Sequence, residues 1–269
     1  MPAPQRRMSI ADITRPGFAT PWGAPSAPPF PFTFRNAEIL TLVYRTDLEA
    51  IEALLPPPLE PTGEAVLIHI YKMNDTDWLG PYGEANVMVG AALPGTEIVG
   101  SYSPYLFLSS DGGIIQGREV HGQPKKLGEP RLEARGDLWV GTVVRNGIDV
   151  VTGTLAYKQR RDTLDALARA MPFATNINLK AVDHIDGRPA IRQLTSRRLS
   201  DVVVHECWSG PCSVELRPNV QAPVFRLPVR DMLDGFYWRA DFTLVAGSII
   251  HDYLAGGASE ETWEGACAV

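Results

Sequence analysis

LWVGTVVRNGIDVVTGTLAYK, residues Leu138–Lys158, carries the clearest fold signal in the chain. Two runs, Leu138–Arg145 and Val150–Lys158, are rich in β-branched and aromatic residues, as strands are. Between them stands Asn146-Gly147, a pair favoured in two-residue hairpins because both turn positions need positive φ. Runs of the same kind recur on both sides: Ile39–Thr46, Ala65–Lys72, Ala85–Leu93, Ser103–Leu108 and Gly113–Gln116 before the hairpin. After it come Ala174–Leu179, Ile191–Thr195, Val202–Cys207, Ser213–Leu216 and Phe236–Val245. A short helix is expected from the cap at Thr46 or Asp47 to Leu55, stopped by Pro56, Pro57 and Pro58, and a second at Asp165–Met171, ended by Pro172. Short strands at intervals of about ten residues predict a mostly β (β-rich α+β) fold, a closed barrel or sandwich with one or two short helices.

Composition fits that pattern. Of 269 residues, 24 are Gly and 23 are Pro, spread along the length, which argues against long helices. Hydrophobic residues at 45% and charged residues at 21% exclude a disordered chain. Lys and Arg total 25 against 31 Asp and Glu, a net charge of -6 that offers no footprint for nucleic acid. No apolar run reaches the roughly 18–20 residues that spanning a membrane requires. The three cysteines lack redox or zinc spacing and are expected to be free thiols in a reducing cytoplasm. The five histidines show no metal-ligand spacing, and no dinucleotide- or triphosphate-binding loop is present. Residues 1–34 read as a proline-rich extended arm, with Phe30, Phe32 and Phe34 available to pack on its own domain or on a neighbouring subunit; 35–255 read as the globular domain and 256–269 as a flexible tail.

The chemistry concentrates in GREVHGQPKKL, Gly117–Leu127. Lys125 and Lys126 follow Pro124 directly, while Arg118 and Glu119 stand close enough to neutralise each other. A surface Lys-Lys pair is ordinarily just solvated. Flanked by Pro124, Leu127 and Gly128, this pair is instead a candidate for burial. An inward-pointing lysine loses its proton more easily, because desolvation and a second cation both disfavour the ammonium. Its neutral amine then attacks ketones to form a Schiff base. On extended backbone only one of two adjacent lysines lines a given cavity.

The stretch GREVHGQPKKLGEPRL (Gly117–Leu132) resembles the acetoacetate decarboxylase superfamily. So do LVYRTDLEAIEALLPPPLE (Leu42–Glu60), MNDTDWLGPYGEA (Met73–Ala85), VHECWSGPCSVEL (Val204–Leu216), APVFRLPVRDM (Ala222–Met232) and the closing HDYL (His251–Leu254). The resemblance implies a closed β-barrel or cone assembled into homo-oligomers. It implies Lys125 as the Schiff-base residue, Lys126 as a supporting neighbour and Glu84 as the active-site acid. The family's lysine is already known to be activated by desolvation or a neighbouring cation. The family arginine that contacts the glutamate would fall at Ala37, so Arg35, two residues away and on the same strand face, is the candidate replacement. Gln123 stands where an aromatic residue commonly keeps the pocket dry, and His251 where tyrosine is frequent; both are candidate substrate-binding residues, with Arg118 supporting. The implied activity is cofactor-free Schiff-base decarboxylation of a small β-keto acid such as acetoacetate. The runner-up is an aldolase–dehydratase or cyclase using the enamine of a 2-keto acid such as pyruvate, and the third reading is a non-catalytic small-molecule-binding barrel.

Overall fold

A computed structural model describes residues 7–27 and 29–255; the expected tail at 256–269 lies outside the described residues. In chain order the first half comprises α1 (Ile10–Thr14), β1 (Phe32–Arg45), α2 (Leu48–Glu52), β2 (Glu60–Met73), β3 (Asp75–Thr76), β4 (Tyr82–Ala92) and β5 (Val99–Leu108). There follow α3 (Asp111–Gln116), a π-helical turn (Gly117–His121), β6 (Lys125–Leu127), β7 (Glu129–Arg135), β8 (Leu138–Arg145), β9 (Ile148–Ala156) and β10 (Arg160–Arg161). The rest is α4 (Leu164–Ala170), β11 (Thr175–Asp183), β12 (Pro189–Ser209), β13 (Cys212–Leu216), a 3-10 turn (Pro223–Arg226), β14 (Asp231–Leu244) and β15 (Ser248–Asp252). No helix among the described residues is long and apolar enough to cross a membrane.

Seven strands pair in the order β12–β11–β5–β4–β2–β1–β14, and β14 pairs back onto β12, closing the ring. Closure leaves these strands no free edge and gives them an inside and an outside. Alternation then sorts every strand. On β4, Glu84, Asn86 and Met88 point inward, whereas Ala85, Val87 and Val89 join the outer core. On β14, Phe236, Trp238 and Phe242 belong to the inner core and Tyr237 to the outer one.

A second sheet, β13–β9–β8–β7, covers the outer face. Trp139 from β8 stacks on Tyr237, ring centroids 3.9 Å apart and planes 6° from parallel. The hairpin joining β8 and β9 turns at Asn146 (φ 54°) and Gly147 (φ 74°), as the sequence predicts. The expected helices appear as α2 and α4.

Two expectations are corrected, and one strand was not anticipated. Gly113–Gln116 is helix, not strand, because Ser110 caps it by accepting from the Gly113 N–H (3.2 Å). The runs at 191–195 and 202–207 are one 21-residue strand, β12, kinked where Asp201 takes φ 51°. The charge-rich strand β7 was unexpected, since only Pro130 and Leu132 of its seven residues are buried. The described part of the proline-rich arm packs on its own domain: Ala27 is buried, and Phe30 meets the His121 ring edge-on at 5.1 Å. Phe32 and Phe34 already belong to β1, so they help close one end of the ring, Phe34 stacking on Phe242 at 4.8 Å.

Gly122 ends the π turn with φ 77°, and a Cβ there would lie 2.4 Å from the Lys180 Cα of β11. Gly122→Ala therefore meets both left-handed strain and a backbone clash. The expected loss is ~2 kcal/mol or more, seen as a fall of several degrees in the thermal unfolding midpoint.

Candidate active site

The segment before Lys125 delivers it to the barrel interior. Helix α3 runs directly into the π turn, which stops at left-handed Gly122. The Gln123 N–H then bonds back to the Gly117 carbonyl (2.9 Å), reversing the chain, and Thr195 Oγ1 of β12 holds the His121 carbonyl at 2.5 Å. Strand β6 pairs in parallel with β5, Lys125 opposite Leu106. Adjacent side chains on this extended backbone diverge. Lys125 is buried, while Lys126 is exposed and donates to the carbonyl and Oε1 of Gln221, both at 3.0 Å.

Gly117 makes room for the lysine. A Cβ at this position would stand 2.3 Å from Cδ and 2.6 Å from Cε of Lys125, so the stem of the side chain lies against bare backbone. Arg118 donates to the Lys125 carbonyl (3.3 Å) instead of pairing with Glu119, and braces the strand from outside the cavity.

Glu84 comes from β4, flanked by Tyr71 on β2 and Leu108 on β5. Its Oε2 lies 3.4 Å from Lys125 Nζ, with the two side chains only 8% and 7% exposed. Burial is the largest influence on the lysine and pushes its pKa down; Glu84 opposes this, and Arg197 reinforces it. Burial, reinforced by Arg197, likewise holds the His121 imidazole down to about 3, so it is neutral.

Around this pair lies a small cavity of about 40 Å³, walled by Phe32, Phe34, Leu79, Phe242 and Leu244 and completed by polar groups from Tyr82, Gln116 and Gln123. Gln123 is 1% exposed, and neither amide atom has a hydrogen-bond partner; the Gln116 Nε2 is likewise unpaired. Buried amides without partners are uncommon and are available to a small polar ligand.

The cation near Glu84 was not foreseen. Arg35 sits at the surface, 47% exposed, bound to Asp77 (2.8 Å) and Asp75 (3.5 Å), because the β1–β3 pairing places it opposite Asp75. Ala37 is fully buried and carries no charge inward. The guanidinium in the cavity belongs to Arg197 of β12, which interacts electrostatically with Glu84, Tyr71 and Tyr82. Its neighbour Arg198 is exposed, and only the register of a long strand decides which of the two faces inward; the SRR run gave no signal for this. His251 is also absent from the cavity wall: it lies on β15, paired with Leu194, its ring packed against Tyr253. His69 is an interior residue whose Nδ1 lies 2.6 Å from Thr41 Oγ1, and burial alone holds it down to about 3. Cys207 and Cys212, the described cysteines, are unpaired.

This β-rich ring with one buried lysine beside a buried glutamate matches a known protein family. The model of the acetoacetate decarboxylase (ADC) family matches residues 14–254, and the chain belongs to that family. It is similar to the acetoacetate decarboxylase of Chromobacterium violaceum, 37% identical over 248 residues, 92% of this chain and 99% of that one. Acetoacetate decarboxylase 1 of Bradyrhizobium diazoefficiens is 34% identical over 248 residues, covering 92% and 98%. Among solved structures, an acetoacetate decarboxylase superposes with a TM-score of 0.85 at 33% identity, covering 92% of this chain and all of that one. The acetoacetate decarboxylase of Legionella pneumophila gives a TM-score of 0.83 at 28% identity, covering 93% and 99%. The biosynthetic enzyme MppR shares the fold alone, with a TM-score of 0.71 at 18% identity.

Gly117→Ala is expected to keep the fold and displace the Lys125 amine, since the clash falls on the flexible part of the lysine stem. A misplacement of about 1 Å costs roughly 100-fold in rate. Circular dichroism unchanged from wild type, with Schiff-base trapping reduced by about that factor, is the expected result.

Proposed function

We propose that the chain is a cofactor-independent carboxy-lyase that decarboxylates a small β-keto acid, acetoacetate being the first candidate, through an iminium on Lys125. The observation that carries this reading is the buried amine 3.4 Å from a buried carboxylate in a small, largely apolar cavity. The relatives named acetoacetate decarboxylase supply the substrate class. Homo-oligomeric assembly and a cytoplasmic setting belong to the same reading.

Neutral Lys125 attacks the keto carbon, and loss of water gives the iminium. The C1–C2 bond then breaks, its electron pair moves into the C=N system, and CO2 departs. Glu84, within reach of Nζ, accepts a proton as the amine adds and returns one to C2 of the enamine, after which water releases the ketone. The positively charged nitrogen is the electron sink, so the path as written uses no metal or organic cofactor. Gln116 and Gln123 present amide donors to the substrate or its carbinolamine.

Two experiments test the reading. Incubation with acetoacetate followed by borohydride should add one reduced adduct at Lys125, accompanied by CO2 release without borohydride, and Lys125→Ala should remove both. Trapping with pyruvate but not acetoacetate selects the aldolase–dehydratase, and trapping with neither overturns the Schiff-base assignment. The second experiment is a pH series. Only the neutral amine attacks, so trapping should rise with pH through a lysine pKa below the free value of 10.5. Glu84 holds the proton on the lysine, so Glu84→Gln should move that acid limb to lower pH.

A further inference from the structure

We propose that Arg197 is the anchor for the substrate carboxylate, a specificity-determining residue on β12 that makes the Lys125 cavity select small monoanionic keto acids. The proposal deepens the decarboxylase reading and rests on it.

Three observations meet at this side chain. Arg197 lines the same cavity as Lys125 and Glu84, and its Nε is enclosed without a hydrogen-bond partner. The ion pairs of the described residues that the structure contains do not include it, even though Glu84 is close enough to interact with it electrostatically. Arg197 is half-buried, and an enclosed Nε with no acceptor is costly, whereas a planar carboxylate matches the guanidinium fork. Finally, Arg197 stands at a neck. A second, mostly apolar cavity of about 420 Å³, lined by Asn86, Met88, Phe173 and Trp238, shares Tyr71, Arg197, Leu199 and Phe242 with the first.

Charge accounting points the same way. With the lysine neutral, Glu84 and Arg197 cancel. Binding a keto acid adds one negative charge, and iminium formation adds one positive charge, so the reacting complex is again neutral. After CO2 leaves, the enamine is uncharged and the balance is unchanged. Without Arg197 the uncharged resting state would be a protonated lysine facing Glu84, the form unable to attack. The small cavity holds about 40 Å³, which suits the methyl-ketone end of acetoacetate, while the carboxylate lies at the neck. The C1–C2 bond is then broken beside Arg197, and CO2 is released toward the larger apolar cavity.

The test separates the lysine from the anchor by comparing a charged and an uncharged ligand. Acetylacetone, a neutral β-diketone, reports formation of an enaminone on Lys125; acetoacetate reports the same lysine plus the carboxylate site. Wild type, R197K and R197M are compared for acetoacetate KM and kcat and for acetylacetone labelling, the latter at a pH where the lysine is neutral in each. R197M should raise the acetoacetate KM about 10- to 150-fold, the range for a lost charge-assisted hydrogen bond. Its acetylacetone labelling should change by less than about threefold, and R197K should recover part of the KM. Propionate should also protect wild-type Lys125 from acetylacetone competitively, an experiment that needs no variant. Unchanged acetoacetate KM in R197M, equal losses with both ligands, or no protection by propionate would each overturn the assignment. A wild-type enzyme labelled by acetylacetone but inert to acetoacetate would instead remove the decarboxylase reading.

Discussion

Lys125 and Glu84 share a buried volume in which the carboxylate favours the charged form of the amine. Two unit charges about 4 Å apart attract by ~4 kcal/mol at an effective dielectric near 20. Left to themselves, the pair would keep the proton on the amine. Burial works against that by penalising the ammonium, and Arg197 works against it a second time by repelling the same charge. The lysine's depressed pKa is thus the outcome of a contest among three residues from three separate elements, β4, β6 and β12. Removing Glu84 would lower the lysine's pKa further, and removing Arg197 would let it rise.

The rest of the architecture maintains that contest. A closed ring gives its interior no solvated sheet edge, so water reaches the site only through the ends. One end is lined by aromatic side chains: Phe30 against His121 and Phe32, Phe32 against Phe34, and Phe34 against Phe242. The second sheet buries the outer face of β1, β2 and β4, leaving those strands apolar on one side and free to carry polar residues on the other. Thr41, His69, Asn86 and Asn178 are all buried interior residues that this division makes tolerable. The cost of the buried polar groups is offset in part by hydrogen bonds such as Trp238 Nε1 to Thr41 Oγ1 at 2.9 Å and Asn178 Nδ2 to Asn176 Oδ1 at 3.1 Å.

Much of this was legible in the chain. The Asn146-Gly147 turn, the alternation of the long strands and the proline stops fixed most elements because each reflects a local preference. Extended backbone predicted that only one of Lys125 and Lys126 faces the cavity, and the family resemblance pointed to Lys125. What escaped notice was non-local. Helix α3 is too short for periodicity and is rich in glycine, and its only signal was the cap at Ser110. Strand β7 exposes five of its seven side chains and pairs because β8 templates it. Whether His251 or Arg35 reaches the cavity depended on strand register, which periodicity does not determine: β15 pairs along β12, and β3 pairs opposite Arg35 with two acidic residues nearby.

The arginine illustrates why register matters for chemistry as well as for packing. In a closed ring, inward positions on different strands face one common volume, so a charge needed at the centre has no fixed address in the sequence. The family pattern expects the cation on β1, but here that position is Ala37, fully buried and paired across the sheet with Ala240, another small residue. The guanidinium arrives instead from β12, about 160 residues later by chain numbering. Function is therefore not confined to moving along one strand. The ring allows it to move across the barrel, because a long arginine side chain from a distant strand reaches the same interior while sequence neighbours on β1 point outward.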